Sequence, residues 1–154
     1  GLNYRMSEIH DASGVEQMKK LLLCLTKRTQ TFNHVEVGLK KIDRVTVLPQ
    51  PFDERCNSSH YCLGMVLDQG AAYKRPAIME ALGKKGIGTS IYYPQPVPRM
   101  TYYKLKYGYE EKKFLNATAI SDGIIALPVG PHLELSDMDY IIKAIEEVWS
   151  EMNV

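Results

Sequence analysis

The sequence predicts a small α/β domain of the α+β kind, with a largely antiparallel sheet, helices on one of its faces and a long helix leading into it. Three observations carry this prediction. A proline-free stretch from Met6 to about Lys40 repeats its apolar residues at helical spacing, short apolar runs bounded by proline or turn residues follow it, and an amphipathic segment closes the chain. At 154 residues, 45% hydrophobic and 24% charged, the chain can bury one sizeable core.

In the leading helix, Ile9, Val15, Met18, Leu22 and Leu25 fall on one face. Gly14 and Gly38 each cost that helix roughly 1 kcal/mol relative to alanine, so a break or a close packing contact is expected near either. Arg44 to Leu48 alternates Val45 and Val47 with polar neighbours and stops at Pro49, as a half-buried strand does. His60 to Leu67 is apolar and partly aromatic, suiting a second strand, and Asp68, Gln69 and Gly70 end it. A helix from about Lys74 to Leu82 follows, closed by Gly83, with Lys84 and Lys85 near its negative end. Thr89 to Tyr93 reads as a third strand. The three prolines between Pro94 and Pro98 then impose an extended loop, because proline continues neither a helix nor a ladder. Ile124 to Leu127 is a further short apolar run ending at Pro128. Ser136 with Asp139 makes a capping-box-like start to a final helix through Trp149. The pattern divides the chain into residues 1–41, dominated by the long helix, and residues 42–154, the small α/β domain.

Several function classes are disfavoured by composition. The formal net charge is +1, so no overall basic field is available to draw in a phosphate backbone or an anionic membrane surface. The longest apolar run, Leu21 to Leu25, is far short of a membrane span, and the reading is a soluble, cytoplasmic protein without a signal sequence. Cys24, Cys56 and Cys62 are odd in number and lack C-x-x-C spacing, which suits a reducing compartment and suggests neither a disulfide framework nor a thiolate zinc site. His10, His34, His60 and His132 show no metal-ligand spacing. Gly86-Ile-Gly88 precedes a strand instead of opening a helix, so turn geometry explains it better than phosphate binding. The strongly patterned start at Gly1 reads as a cut end.

GLNYRMSEIH followed by ASGVEQMKKL resembles the segment at which the DegT, DnrJ and StrS family of sugar aminotransferases passes from its large domain into a long helix. The similarity continues in order through SSHYCLGMVLD, KKGIGTSIYYPQPVP, YYKLKYGY and ISDGIIALPVGPHLELSDMDYII, and so covers nearly the whole chain. The resemblance implies the small carboxy-terminal domain of a fold-type I enzyme, with residues 1–41 as interdomain segment and helix. It also implies a homodimer that uses pyridoxal phosphate to move an amino group from glutamate onto a ketone of a nucleotide-linked sugar. The lysine that carries the cofactor and the acid beside its pyridine nitrogen lie upstream of this segment in the family. None of the thirteen lysines here stands in that context, so the isolated chain is expected to be inactive. Two other readings remain: a stand-alone binding or dimerisation module with this fold, and a cofactor-dependent sugar dehydratase relative.

By the same resemblance, Asn3 falls where the family places an asparagine that reaches the cofactor phosphate of the neighbouring subunit; a helix-capping role is the alternative. Arg5 could bind that phosphate or the carboxylate of the amino donor with its guanidinium fork, or form an interface ion pair. Tyr92 and Tyr93, before Pro94, match an aromatic-proline turn beside the substrate pocket, with Tyr92 where histidine is frequent; core packing is the alternative. Gln95 and Arg99 could reach the nucleotide-sugar from the proline-rich loop, or be solvated. Tyr102, Tyr103, Tyr107 and Tyr109, interleaved with Lys104 and Lys106, correspond to a segment near the active-site entrance. Base stacking on single-stranded nucleic acid is the other use of such a cluster.

Overall fold

A computed structural model describes residues 5–48, 55–110 and 113–154. Helices α1 (Glu8–Met18) and α2 (Leu21–Leu39) lead into strands β1 (Val45–Val47) and β2 (Leu63–Leu67). Helices α3 (Arg75–Lys84), α4 (Thr101–Tyr107) and α5 (Leu115–Gly123) precede strand β3 (Ile124–Leu127), and helix α6 (Leu135–Met152) ends the chain. The sheet is antiparallel in the order β1-β2-β3, with Val45 opposite Leu67 and Leu63 opposite Leu127.

The alternation of the strands decides what lies on each face. Leu63, Met65 and Leu67 of β2, with Ile125 and Leu127 of β3, point toward α2, α3 and α6. There they meet Phe32, Val35 and Leu39 of α2, Ile78 and Leu82 of α3, and Met138, Ile141, Ile145 and Val148 of α6. The amphipathic last helix closes this core. Its indole Nε1 of Trp149 donates to the Asp43 carbonyl at 3.1 Å, and the Tyr140 hydroxyl donates to the Lys85 carbonyl at 2.8 Å. Gly64, Val66, Ile124 and Ala126 face the opposite side, where the sheet meets the segment carrying the candidate site.

Four expectations are corrected. The single long helix is two helices, parted at Lys19 and Lys20, although neither is a helix breaker. Gly14 stands inside α1 with nothing near it, whereas Gly38 is the close contact: a Cβ there would lie 2.5 Å from Ile142 Cδ1. Most of the apolar stripe of that region is exposed: Ile9 and Leu22 are 81% and 78% exposed, and Leu25 is half-buried. The third strand shrinks to one bridge between Ser90 and Ala126, because the chain turns away at Tyr92 toward the prolines. Gly83 does not close α3, which runs on to Lys84. Finally, the capping box of the last helix uses Glu134 and Asp137, two residues earlier than Ser136 and Asp139.

Candidate substrate-pocket wall

The aromatic-proline turn is fastened from three sides. Ser90 and Ala126 exchange both backbone hydrogen bonds, at 3.1 and 2.7 Å, so the turn starts from the outer rim of β3. The Ser121 hydroxyl, buried at the end of α5, donates to the Tyr93 carbonyl at 2.7 Å. The Ser121 carbonyl in turn accepts from Arg75 Nη1 at 2.6 Å, which ties α3 to the same point. Tyr92 and Tyr93 are 44% and 73% exposed, so they are not core residues.

Tyr92 borders three cavities. One of about 440 Å³ lies against the prolines and is walled by Tyr92, Tyr93, Gln95, Val97, Phe114 and Ile120, among others. Another, of about 420 Å³, opens on the second face of the sheet between Tyr61, Gly64, Ile124 and the two tyrosines. The third, of about 250 Å³, brings together Arg28, Tyr61, Cys62, Ser90, Tyr92 and Pro128. Among the described residues, neither a lysine nor a carboxylate lines any of the three, and Arg28 is their one charged side chain.

Arg28 was not among the residues singled out from the sequence. A signal was there: it precedes Phe32 by one turn, and so stands on the face of α2 that Phe32, Val35 and Leu39 bury. Its Nε is buried without a hydrogen-bond partner, and its guanidinium carbon lies 5.8 Å from the centre of the Tyr61 ring. Next to it His60, held at positive φ, packs its ring 4.6 Å from Phe32 and leaves Nδ1 buried and unpartnered. Burial lowers the His60 pKa, with Glu36 opposing, and burial raises that of the Cys62 thiol. Both therefore favour their neutral forms, which suits packing more than chemistry.

The other singled-out residues are distributed as follows. Tyr92, Tyr93 and Gln95 come together on the larger cavity. Arg99 does not line it; its fork grips Asp122 at 2.7 and 3.1 Å, and this contact holds the Asp122 carboxyl below its ordinary range. Arg5 is exposed ahead of α1, and Asn3 lies outside the described residues. The tyrosines of α4 form a ladder in which Tyr103 and Tyr107 stack at 6.2 Å, with the Lys106 ammonium 5.3 Å from the rings of both Tyr102 and Tyr107. The ladder reaches the larger cavity through Phe114, 5.4 Å from Tyr109. No group of three potential metal-binding side chains occurs among the described residues, and no described helix is long and apolar enough to cross a membrane.

Known proteins resemble this chain in sequence and in fold. The Bacillus subtilis spore coat polysaccharide biosynthesis protein SpsC is 26% identical over 149 residues, which are 96% of this chain and 38% of that protein. Helicobacter pylori PseC, an aminotransferase involved in the biosynthesis of pseudoaminic acid, superposes with a TM-score of 0.84 at 24% identity, over 98% of this chain and 39% of its own. The PLP form of Spr1654 from Streptococcus pneumoniae gives 0.81 at 24% identity, over 96% and 36%. The chain thus spans well under half the length of these relatives. Residues 1–146 match the DegT/DnrJ/EryC1/StrS aminotransferase family from end to end of that stretch, and the chain belongs to this family.

Proposed function

We propose that the chain is the carboxy-terminal part of a pyridoxal-phosphate sugar aminotransferase that moves an amino group from glutamate to a nucleotide-linked keto sugar. In this reading residues 1–41 lead out of a large domain, residues 42–154 form the small domain, and the working unit is a cytoplasmic homodimer. The observation that carries the reading is the neutral, aromatic cavity at Tyr92, Tyr93 and Gln95, held by Ser121 and Arg75. A wall of this kind orients a polar sugar through few hydrogen bonds and keeps bulk water from its reacting carbon. Tyr93 and Gln95 offer a hydroxyl and an amide to sugar oxygens, while the tyrosine ladder of α4 meets the nucleotide.

The cofactor, when bound, supplies the electron sink for amino transfer. The described residues fit the wall of such a site but not the cofactor's anchorage, since no lysine or carboxylate lines the cavities around Tyr92. Asn3 and Arg5 are the residues proposed to reach its phosphate.

Two measurements test this reading. The 154-residue chain, treated with pyridoxal phosphate and borohydride, should yield no single lysine that is modified saturably; one stoichiometric adduct by mass spectrometry would place the active site elsewhere. The corresponding segment of PseC exchanged for this chain should give a folded protein that forms 2-oxoglutarate from glutamate when a keto sugar is supplied. A folded, cofactor-loaded exchange protein without that activity overturns the proposal.

A further inference from the structure

We infer that the Arg28 cavity is a binding site for a small carboxylate. A guanidinium is charged at every accessible pH and carries five donors. Leaving its Nε–H buried without an acceptor is costly, and more so for a charged group than for a neutral one. That nitrogen has almost no accessible surface and does not itself face the cavity; Arg28 suits the cavity to an anion as the one charged side chain that lines it among the described residues, through its other N–H groups. The cavity measures about 250 Å³, below the roughly 300–1,000 Å³ usual for drug-sized ligands, so it accepts a carboxylate on a short chain better than a nucleotide. The rest of the lining favours the same ligand. Tyr61, Ser90 and Tyr92 bring hydroxyl groups that can donate to carboxylate oxygens, and among the described residues no acidic side chain lines the cavity to repel them.

The Tyr61 ring beside the guanidinium orients its plane, which prepares the fork for a planar, two-oxygen partner. Tyr92 is shared with the proposed sugar cavity, so a ligand held by Arg28 would lie beside the place the sugar occupies in the other half of the reaction. Naming glutamate as the acid rests on the aminotransferase reading; the carboxylate site does not.

The test uses the 154-residue chain. Succinate and acetate probe the carboxylate alone, and glutamate and 2-oxoglutarate probe the amino-donor pair, each followed by calorimetry and by the Arg28 Nε–H resonance. The expected result is saturable binding with a shift of that resonance, weakened about tenfold or more in Arg28→Gln and less in Arg28→Lys. Circular dichroism checks that the variants fold, and the resonance in the unaltered chain decides the matter if they do not. No saturation below roughly 100 mM for any of the acids, or equal affinity in folded Arg28→Gln, overturns the inference. Arg28-dependent binding of succinate without preference for glutamate would uphold the site while removing support from the amino-donor reading.

Discussion

The two ends of α2 are built from similar residues and meet opposite fates. Its first turn and a half, Leu21 to Leu25, holds four leucines and a cysteine, yet Leu22 and Leu23 are 78% and 63% exposed. Its last two turns hold Phe32, Val35 and Leu39, all at 1% exposure or less. Hydrophobicity and helical period are therefore not enough to place a residue in a core: a facing element must exist. At the carboxy end α6 and β1 provide it. At the amino end nothing among the described residues does, and the same lack extends along α1 through Ile9, Val15 and Met18. An apolar stripe of this length is an interaction surface in waiting.

Stability measurements should break the helix into its two regions. Phe32→Ala should cost about 3–5 kcal/mol, because a buried ring is lost and its cavity cannot close, whereas Leu22→Ala should stay within about 0.5 kcal/mol. Urea unfolding of both variants, at concentrations low enough for the chain to be monomeric, checks this, and equal costs would mean that the stripe is covered within one chain. The two glycines sharpen the contrast. Gly38→Ala drives a methyl into the branched side chain of Ile142 and should cost about 1–3 kcal/mol, while Gly14→Ala meets open space and should gain up to about 1 kcal/mol from helix propensity. Thermal melts of the pair should move in opposite directions. The last effect is on association and not on folding. The 154-residue chain is expected to pair with itself through the stripe, and Leu22→Asp should weaken that association roughly tenfold, since one leucine's burial is at stake. Light scattering that finds a monodisperse monomer of the unaltered chain would remove this expectation.

The comparison also shows what was legible in the sequence. β1 could be read from its alternation ending at a proline and β2 from its apolar run ending at a turn cluster, whereas β3 stood out only as a short apolar run before Pro128, the third strand being expected at Thr89 to Tyr93. The division between α1 and α2 could not be read, since Lys19 and Lys20 are good helix formers and no local pattern marks the interruption. Helix α4 was hidden by its own composition: its tyrosines and lysines read as a ligand-facing cluster, and Gly108, which ends it in the left-handed region, was the overlooked signal. In the candidate site, Tyr92, Tyr93 and Gln95 could be grouped because they are adjacent in the chain. The Arg99–Asp122 pair and the Arg28–Tyr61 contact join residues far apart in sequence, and no local pattern announces them.

The bridge at Ser90 reaches beyond the pocket it anchors. A sheet of three strands, as among the described residues, offers its rims to any extended chain that can add to it, which is the usual route to edge-to-edge aggregation. On the outer rim of β3 the Ala126 amide is already given to Ser90, the Ile124 amide is given back to Ile120 of α5, and position 128 is proline, which has none. A foreign strand arriving there would find no amide to accept from, so the turn that shapes the candidate site also keeps the sheet from growing past β3.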